Sequence, residues 1–286
     1  AFFSMLSSKS ISRNGNKFSY LKVEKNELIV EIDISESDNE EITQSMHQLL
    51  DYIILLFNSG RRHDYEVVID IGEYTKLRKL ESETKIASQI KESLEKLNNI
   101  KISYSKGLKG DEKKKYKYNM KEVKIIDDIA KKRNGRIKVK LTNRFVDLIA
   151  GFPIMQYSMK LFEFNEKENP HSYYLLKRLL WHRDINHNHR NTTIISVKSL
   201  LDACPNLVKY ESIVNVGQIR QRIIDPFERD MDSFSDVLTW EYVYRKQIIS
   251  AEESQTLNYD TFIECMLHID WVDYPVEKSN KKINLD

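Results

Sequence analysis

The sequence is poor in the residues that build loops and covalent or metal frameworks: among 286 residues there are eight glycines, five prolines and two cysteines. So few glycines leave little room for loops that cradle phosphates. Neither a Walker A lysine motif nor a GxGxxG occurs, so nucleotide hydrolysis and dinucleotide binding lack their usual signatures. Cys204 and Cys265 are too few and too far apart for a disulfide framework or a four-cysteine zinc site, and both read as buried thiols. No run of about 18 apolar residues could span a bilayer, and Ala1 to Leu6 is too short for the apolar region of a signal peptide. The expectation is a soluble, cytoplasmic chain with no membrane partner.

What is present is charge, and it is segregated. The formal net charge is only +2, yet 31% of residues are charged and the cations collect in a few stretches. A 41% hydrophobic content in a chain of this length is enough to fill two cores of ordinary size.

Hydrophobic periodicity shows one order of elements twice. Lys17 to Ile34 alternates as a β-hairpin that turns at Lys25-Asn26. From Glu40 the period becomes helical through Met46, Leu49, Leu50, Ile53 and Phe57, and Gly60 closes the segment. Glu66 to Asp70 reads as a strand feeding a short helix, Ile71 to Leu80, with Tyr74 and Leu77 inward. Thr84 to Leu97 follows as a second helix whose apolar face is Ile86, Ile90, Leu94 and Leu97. Strand character returns at Ile100 to Tyr104, the lysine-rich Lys106 to Lys117 interrupts it, and Met120 to Ile126 and Arg136 to Leu141 resume it.

The order recurs after Pro170. Tyr173, Leu175, Leu176, Leu179 and Leu180 mark a helix, Thr192 to Ser196 a strand, and Val197 to Ala203 a short helix that Pro205 ends. Val216 to Phe234 is a longer helix, Val237 to Tyr244 a strand, and Phe262 to Val272 its partner. The segments VVIDIGEYTKLRKL and TIISVKSLLDACPNL match by role, each a strand running straight into a short helix. A repeat of this kind sets the domain count. Strand, short helix, turn, second helix and hairpin together make a helix-turn-helix with a wing. The predicted fold class is therefore α+β, two tandem winged-helix domains, with residues 1–155 as the first and 156–286 as the second.

In that arrangement the second helix of each unit enters a major groove of double-stranded DNA. The first unit offers Lys85, Ser88, Gln89, Lys91 and Ser93, with Glu92 and Glu95 opposing phosphate; the second offers Gln218, Arg220, Gln221 and Arg222. Arginine and glutamine make bidentate contacts to guanine and adenine. Lys106, Lys109, Lys113, Lys114, Lys115 and Lys117, interleaved with Tyr116 and Tyr118, fall where the first wing is expected and would hold phosphates. Lys131, Lys132, Arg133, Arg136, Lys138 and Lys140 form a second basic cluster. A solvated face is the competing reading for any one of these stretches; two polar helices in the same slot favour duplex contact.

The stretch VGQIRQRIIDPFERDMDSF, with Arg220 and Arg222, then Ile223 and Ile224, then Pro226, then Glu228 and Asp230, resembles the recognition helix of the second winged-helix domain of plasmid replication initiators of the theta-type, iteron-binding family. The opening FFSMLSSKS is similar to the start of such proteins. The resemblance implies a protein that binds repeated sites at an origin as a monomer, helps melt adjacent DNA and recruits host replication proteins. It further implies a homodimer through the N-terminal domain and repression of the protein's own promoter. Gln218, Arg220, Gln221 and Arg222 would read bases while the lysines of the first wing hold backbone. Whether the first domain meets DNA or a second copy of the chain stays open.

Three other groups of residues invite a catalytic reading. His182, His187 and His189 in WHRDINHNHRN, the last two on either side of Asn188, read as a polar loop in preference to a metal site. Tyr173-Tyr174 could supply a nucleophile but reads as core, as do Trp181, Trp240 and Trp271. Asp127-Asp128 and Glu252-Glu253 are adjacent carboxylates on which nothing else converges. No catalytic residue, metal site or cofactor is expected, so the chain reads as non-enzymatic. The alternatives are a metal-dependent nicking initiator or relaxase, using His187, His189 and Tyr174, and a winged-helix transcriptional regulator.

Overall fold

The structure, a computed structural model, describes residues 11–14, 17–23, 26–33, 43–60, 62–107, 116–132, 134–150, 156–186, 193–215 and 217–272. They fall into two compact units, one within 10–153 and one within 154–280.

The first unit begins with β1 (Ile11–Asn14), β2 (Lys17–Val23) and β3 (Asn26–Asp33), followed by α1 (Gln44–Asn58). The Thr43 side chain accepts the Met46 N–H at 3.3 Å and so starts α1 there, while the expected beginning at Glu40 lies outside the described residues. α1 is buried on almost every side, as befits a central helix. Next come β4 (Arg62–His63), β5 (Glu66–Asp70), α2 (Ile71–Leu77), α3 (Glu83–Asn99), β6 (Lys101–Gly107) and β7 (Tyr116–Lys124). β8 (Ile126–Lys132), β9 (Arg136–Leu141) and α4 (Asn143–Ala150) complete the unit. Ile86, Ile90, Leu94 and Leu97 of α3 are buried together with Leu49, Leu50, Ile53 and Phe57 of α1.

Two antiparallel sheets result, a five-stranded one in the order β1-β2-β3-β6-β7 and a four-stranded one in the order β4-β5-β9-β8. This corrects one expectation. Sequence reading puts the wing at Lys106 to Lys117, but that segment joins β6 to β7 in the sheet without β5. The hairpin paired with β5, and hence the wing of this helix-turn-helix, is β8–β9. β9 can take that place because Ile137, Val139 and Leu141 alternate as its buried face, lying with Val67 and Ile69 of β5 in the core. Lys113, Lys114 and Lys115 lie outside the described residues, and Lys117 is on β7.

Asp70 ties this wing to the first helix of the motif. Its carboxylate accepts the Glu73 N–H at 3.1 Å as the N-cap of α2 and receives Arg136 Nε of β9 at 3.2 Å. These interactions, the Glu73 amide foremost, hold its carboxyl below the usual range. A depressed carboxylate stabilises the fold above its unfolded pKa, and that contribution is lost as pH falls through the folded one. Asp70→Ala should therefore cost about 1 kcal/mol near neutrality, and urea titrations should show the difference between variant and parent shrinking under acid conditions.

In the second unit α5 (Lys160–Glu163) and α6 (Ser172–Ile185) lead to β10 (Ile194–Ser196) and α7 (Val197–Leu201). A long connection containing α8 (Tyr210–Ile213) reaches a π-helical turn, Arg220–Ile224, which runs into α9 (Asp225–Asp232). β11 (Leu238–Tyr244), β12 (Gln247–Ile248), α10 (Ala251–Gln255), α11 (Tyr259–Glu264) and β13 (Met266–Trp271) close the unit. Its sheet order is β10-β13-β11-β12. The core is one cluster in which Leu175, Leu176, Leu179 and Leu180 of α6 meet Ile223, Ile224, Phe227, Met231 and Phe262.

Three expectations change here. The single helix from Val216 to Phe234 is interrupted: Gly217 (φ 77°) and Gln218 (φ 59°) are left-handed, and the helix opens only after them, with a widened turn before Pro226. Proline lacks the N–H that an interior turn would require, and at the start of α9 this omission costs little. Phe262 to Cys265 is not strand, because Asn258 accepts the Thr261 N–H at 2.9 Å and caps a helix there. Trp181, Trp240 and Trp271 are half-buried, not core, and arginine guanidiniums lie over two of them, Arg178 on Trp181 at 4.3 Å and Arg183 on Trp271 at 4.6 Å. Both cysteines are buried, and burial pushes the Cys265 thiol up to about 11.

Candidate nucleic-acid interface

Both units build the same slot by the same local device. A strand ends on a residue whose side chain caps the next helix: Asp70 accepts from Glu73 N, and Ser196 accepts from Ser199 N at 3.2 Å. A second helical segment then follows, α3 in one unit and the π-turn with α9 in the other.

On α3 the expected Lys85, Ser88, Gln89 and Lys91 are exposed, opposite the buried isoleucine and leucine face, but Ser93 is buried beside Leu94 and Leu97 and is not available to DNA. The two acids of its exposed C-terminal half are matched by lysines within the same helix, Glu92 with Lys96 at 2.7 Å and Glu95 with Lys91 at 3.4 Å. The cations of β9 are matched as well. Arg136 pairs with Asp70 at 3.2 Å, Lys138 with Glu66 at 2.8 Å and Lys140 with Asp127 at 3.0 Å.

In the second unit Ile223, Ile224, Phe227 and Met231 anchor one face of the helical segment in the core. That anchoring turns Gln221 and Arg222 outward, and both are exposed. Gln218 is exposed too, but it precedes the helix, and its carbonyl accepts the Arg222 N–H at 3.0 Å.

Arg220 behaves differently from its neighbours. Its Nε lies 3.0 Å from Asp225 Oδ1 and its Nη2 3.1 Å from Glu228 Oε2, while Nη1 donates to the Ser254 carbonyl at 2.9 Å. The expectation that Arg220 is held out to read bases is corrected by this geometry, because all three guanidinium nitrogens face protein acceptors. Glu228 also accepts the Tyr242 hydroxyl of β11 at 3.1 Å. Burial raises the Glu228 carboxyl above its usual range, against the pull of Arg220 and Tyr242.

Sequence reasoning overlooked the hairpin between β11 and β12. Tyr244 pairs with Gln247 across a two-residue turn of Arg245 (φ 48°) and Lys246 (φ 70°), both exposed. Two left-handed residues are the pattern of a type I′ turn, in which Asn-Gly is favoured. The first unit's β8–β9 turn has that pair, Asn134 (φ 64°) and Gly135 (φ 69°). Two apolar runs two residues apart, YVY and QII, are a hairpin signal; the unusual turn residues concealed it.

Of the residues a nicking reaction would need, Tyr174 is only 2% exposed, and His187 and His189 lie outside the described residues. Among the described residues no group of three potential metal ligands occurs, and no helix is long and apolar enough to cross a membrane.

The family model Rep3_N, described as Initiator Replication protein, WH1, matches residues 21–180, more than half of the chain. No curated protein sequence matches it. Among solved structures, one of domains 2 and 3 of RctB is similar at a TM-score of 0.53 and 7% identity, covering 94% of this chain and 98% of that one. A second structure of RctB domains 2 and 3 gives a TM-score of 0.48 at 10% identity, covering 94% and 96%.

Proposed function

The chain belongs to the Rep3_N family of initiator replication proteins, and from that premise we propose that it starts replication by binding repeated sites in double-stranded DNA at an origin. Membership makes it a DNA-binding replication initiator built from two tandem winged-helix domains.

The observation that carries it is the exposure of Gln221 and Arg222, side by side, on a helical segment whose opposite face is fixed in the core. Neither has an ion-pair partner among the described residues, and their chemistry suits the edges of adenine and guanine. In this proposal residues 156–286 recognise sequence through Gln221 and Arg222, with Gln218 at the approach. Residues 1–155 contribute backbone contacts, a homodimer interface, or both. The matched charges of α3 and β9 support the lesser role for base reading there, with Lys85, Ser88 and Gln89 touching the duplex and Lys113, Lys114, Lys115 and Lys117 holding phosphates. The protein works in the cytoplasm without enzymatic activity of its own, recruits host replication proteins and represses its own promoter.

Arg245 and Lys246 join the second domain's contacts. Left-handed backbone at non-glycine residues costs about 1 kcal/mol each, and a strained pair of cations at the tip of a hairpin that Tyr242 ties to Glu228 of the recognition helix is what phosphate binding would maintain. Arg245→Asn with Lys246→Gly is expected to raise stability by about 1–2 kcal/mol while weakening specific and random duplexes alike. Chemical denaturation and duplex titrations check the two halves, and unchanged DNA affinity would remove these residues from the interface.

The general test is selection from a random duplex library by the full chain. Recovery of a short motif that recurs beside its coding region supports the reading; recovery of no motif would falsify it. Incubation with supercoiled origin plasmid and a divalent metal examines the relaxase alternative, since a nick carrying protein on its 5′ end would favour that reaction instead.

A further inference from the structure

The π-turn that opens the recognition helix is weakly held by its own backbone. Its bond from the Asp225 N–H to the Arg220 carbonyl spans five residues, and Pro226 brings no N–H to the next position. α10 is in a similar state: it is five residues long and none of them is buried. Its N-terminus is secured by a capping box, Ser250 accepting from Glu253 N while the Glu253 carboxylate accepts from Ser250 N. At its other end the Glu253 carbonyl accepts the Thr256 N–H at 3.1 Å and the Ser254 carbonyl the Leu257 N–H at 3.3 Å, which leaves the Ser254 oxygen a second lone pair for a donor from outside the helix.

We propose that Arg220 is a positioning residue that fastens the π-turn to α10, and so fixes the direction in which Gln221 and Arg222 leave the helix; this rests on the DNA-reading role given to those two. The guanidinium meets the Ser254 carbonyl at the end of α10, a favourable place for a cation. Its other two nitrogens hold Asp225, next to the π-turn, and Glu228, one turn further on. Glu228 passes the connection to β11 through the Tyr242 hydroxyl. Four elements thus converge on one planar fork. Lysine also has three donors, but all on one nitrogen at the end of a flexible stem, whereas the three contacts here are made from three separate nitrogens of a rigid plane.

The test uses the full chain with Arg220→Ala, Arg220→Lys, Glu228→Gln and Arg222→Ala. Hydrogen exchange is measured in the free protein, alongside titrations with a duplex selected from a random library and with a random duplex. Arg220→Ala should speed exchange at amides 251–256 at least tenfold, leave α6 protected, and cut the preference for the selected duplex at least tenfold. Arg220→Lys should share both defects although it keeps the charge, and Arg222→Ala should lose preference without any change in exchange. If Arg220→Ala unfolds the unit, Arg220→Lys and Glu228→Gln are read in the same way. Unaltered exchange at 251–256, or wild-type preference in Arg220→Lys, overturns the proposal. The exchange measurement needs no DNA, so it stands even if the chain selects no sequence; loss of preference in every variant except those at Arg220 would leave DNA reading intact and remove this role alone.

Discussion

Replacing Gln221 and Arg222 together with alanine is expected to reduce affinity for a selected duplex by at least about 2 kcal/mol, a factor of roughly 30. Random duplex should lose much less, since only one charge is removed. The fold should survive, because both side chains are exposed and the segment is held from its other side by Ile223 and Ile224. Each bidentate contact is worth about 1–3 kcal/mol of discrimination, and adjacent residues need not add, so the lower end is the safer figure. Fluorescence anisotropy with selected and scrambled duplexes gives the comparison directly. Equal losses on both would mean that the pair contacts phosphate and that sequence is read elsewhere.

The largest loss of stability is expected from Phe227→Ala, at about 3–5 kcal/mol. Phe227 is fully buried, its ring meets Phe262 edge-on at 5.5 Å between centroids, and it anchors the first turn of α9 beneath the exposed pair. Removing it leaves a cavity that neighbouring rings can only partly fill. Domains of ordinary size are stable by about 5–15 kcal/mol, so the variant should unfold at clearly lower denaturant concentration, and DNA binding should fall with the folded fraction. A cost below about 1 kcal/mol would show that the core closes over the gap.

These two predictions differ in how far the sequence alone could supply them. The helical period marks α3 and the segment carrying Phe227, and alternation marks β5 and β9, because each buries one well-defined face, whereas α6 is buried on nearly every side from Ser172 to Leu180 and shows as a dense run of tyrosine and leucine. Alternation does not name a strand's partner, and that is why the lysine-rich loop resembles a wing in sequence while β8–β9 takes the position beside β5. α10 was missed for the opposite reason: with no buried face it leaves no period to detect. Residue type pointed to Gln221 and Arg222 and equally to Arg220. Only the positions of Asp225, Glu228 and Ser254, the last 34 residues away in sequence, separate the third from the first two.

The paired cations of β9 bear on how complex formation should respond to ionic strength. A basic side chain that already faces a carboxylate at 2.8–3.2 Å, as Arg136, Lys138 and Lys140 do, displaces no condensed ion from a polyanion unless its own pair first opens. The slope of log affinity against log salt should accordingly follow unmatched cations such as Arg222, Arg245 and Lys246, and be far shallower than a chain with 45 basic residues would lead one to expect.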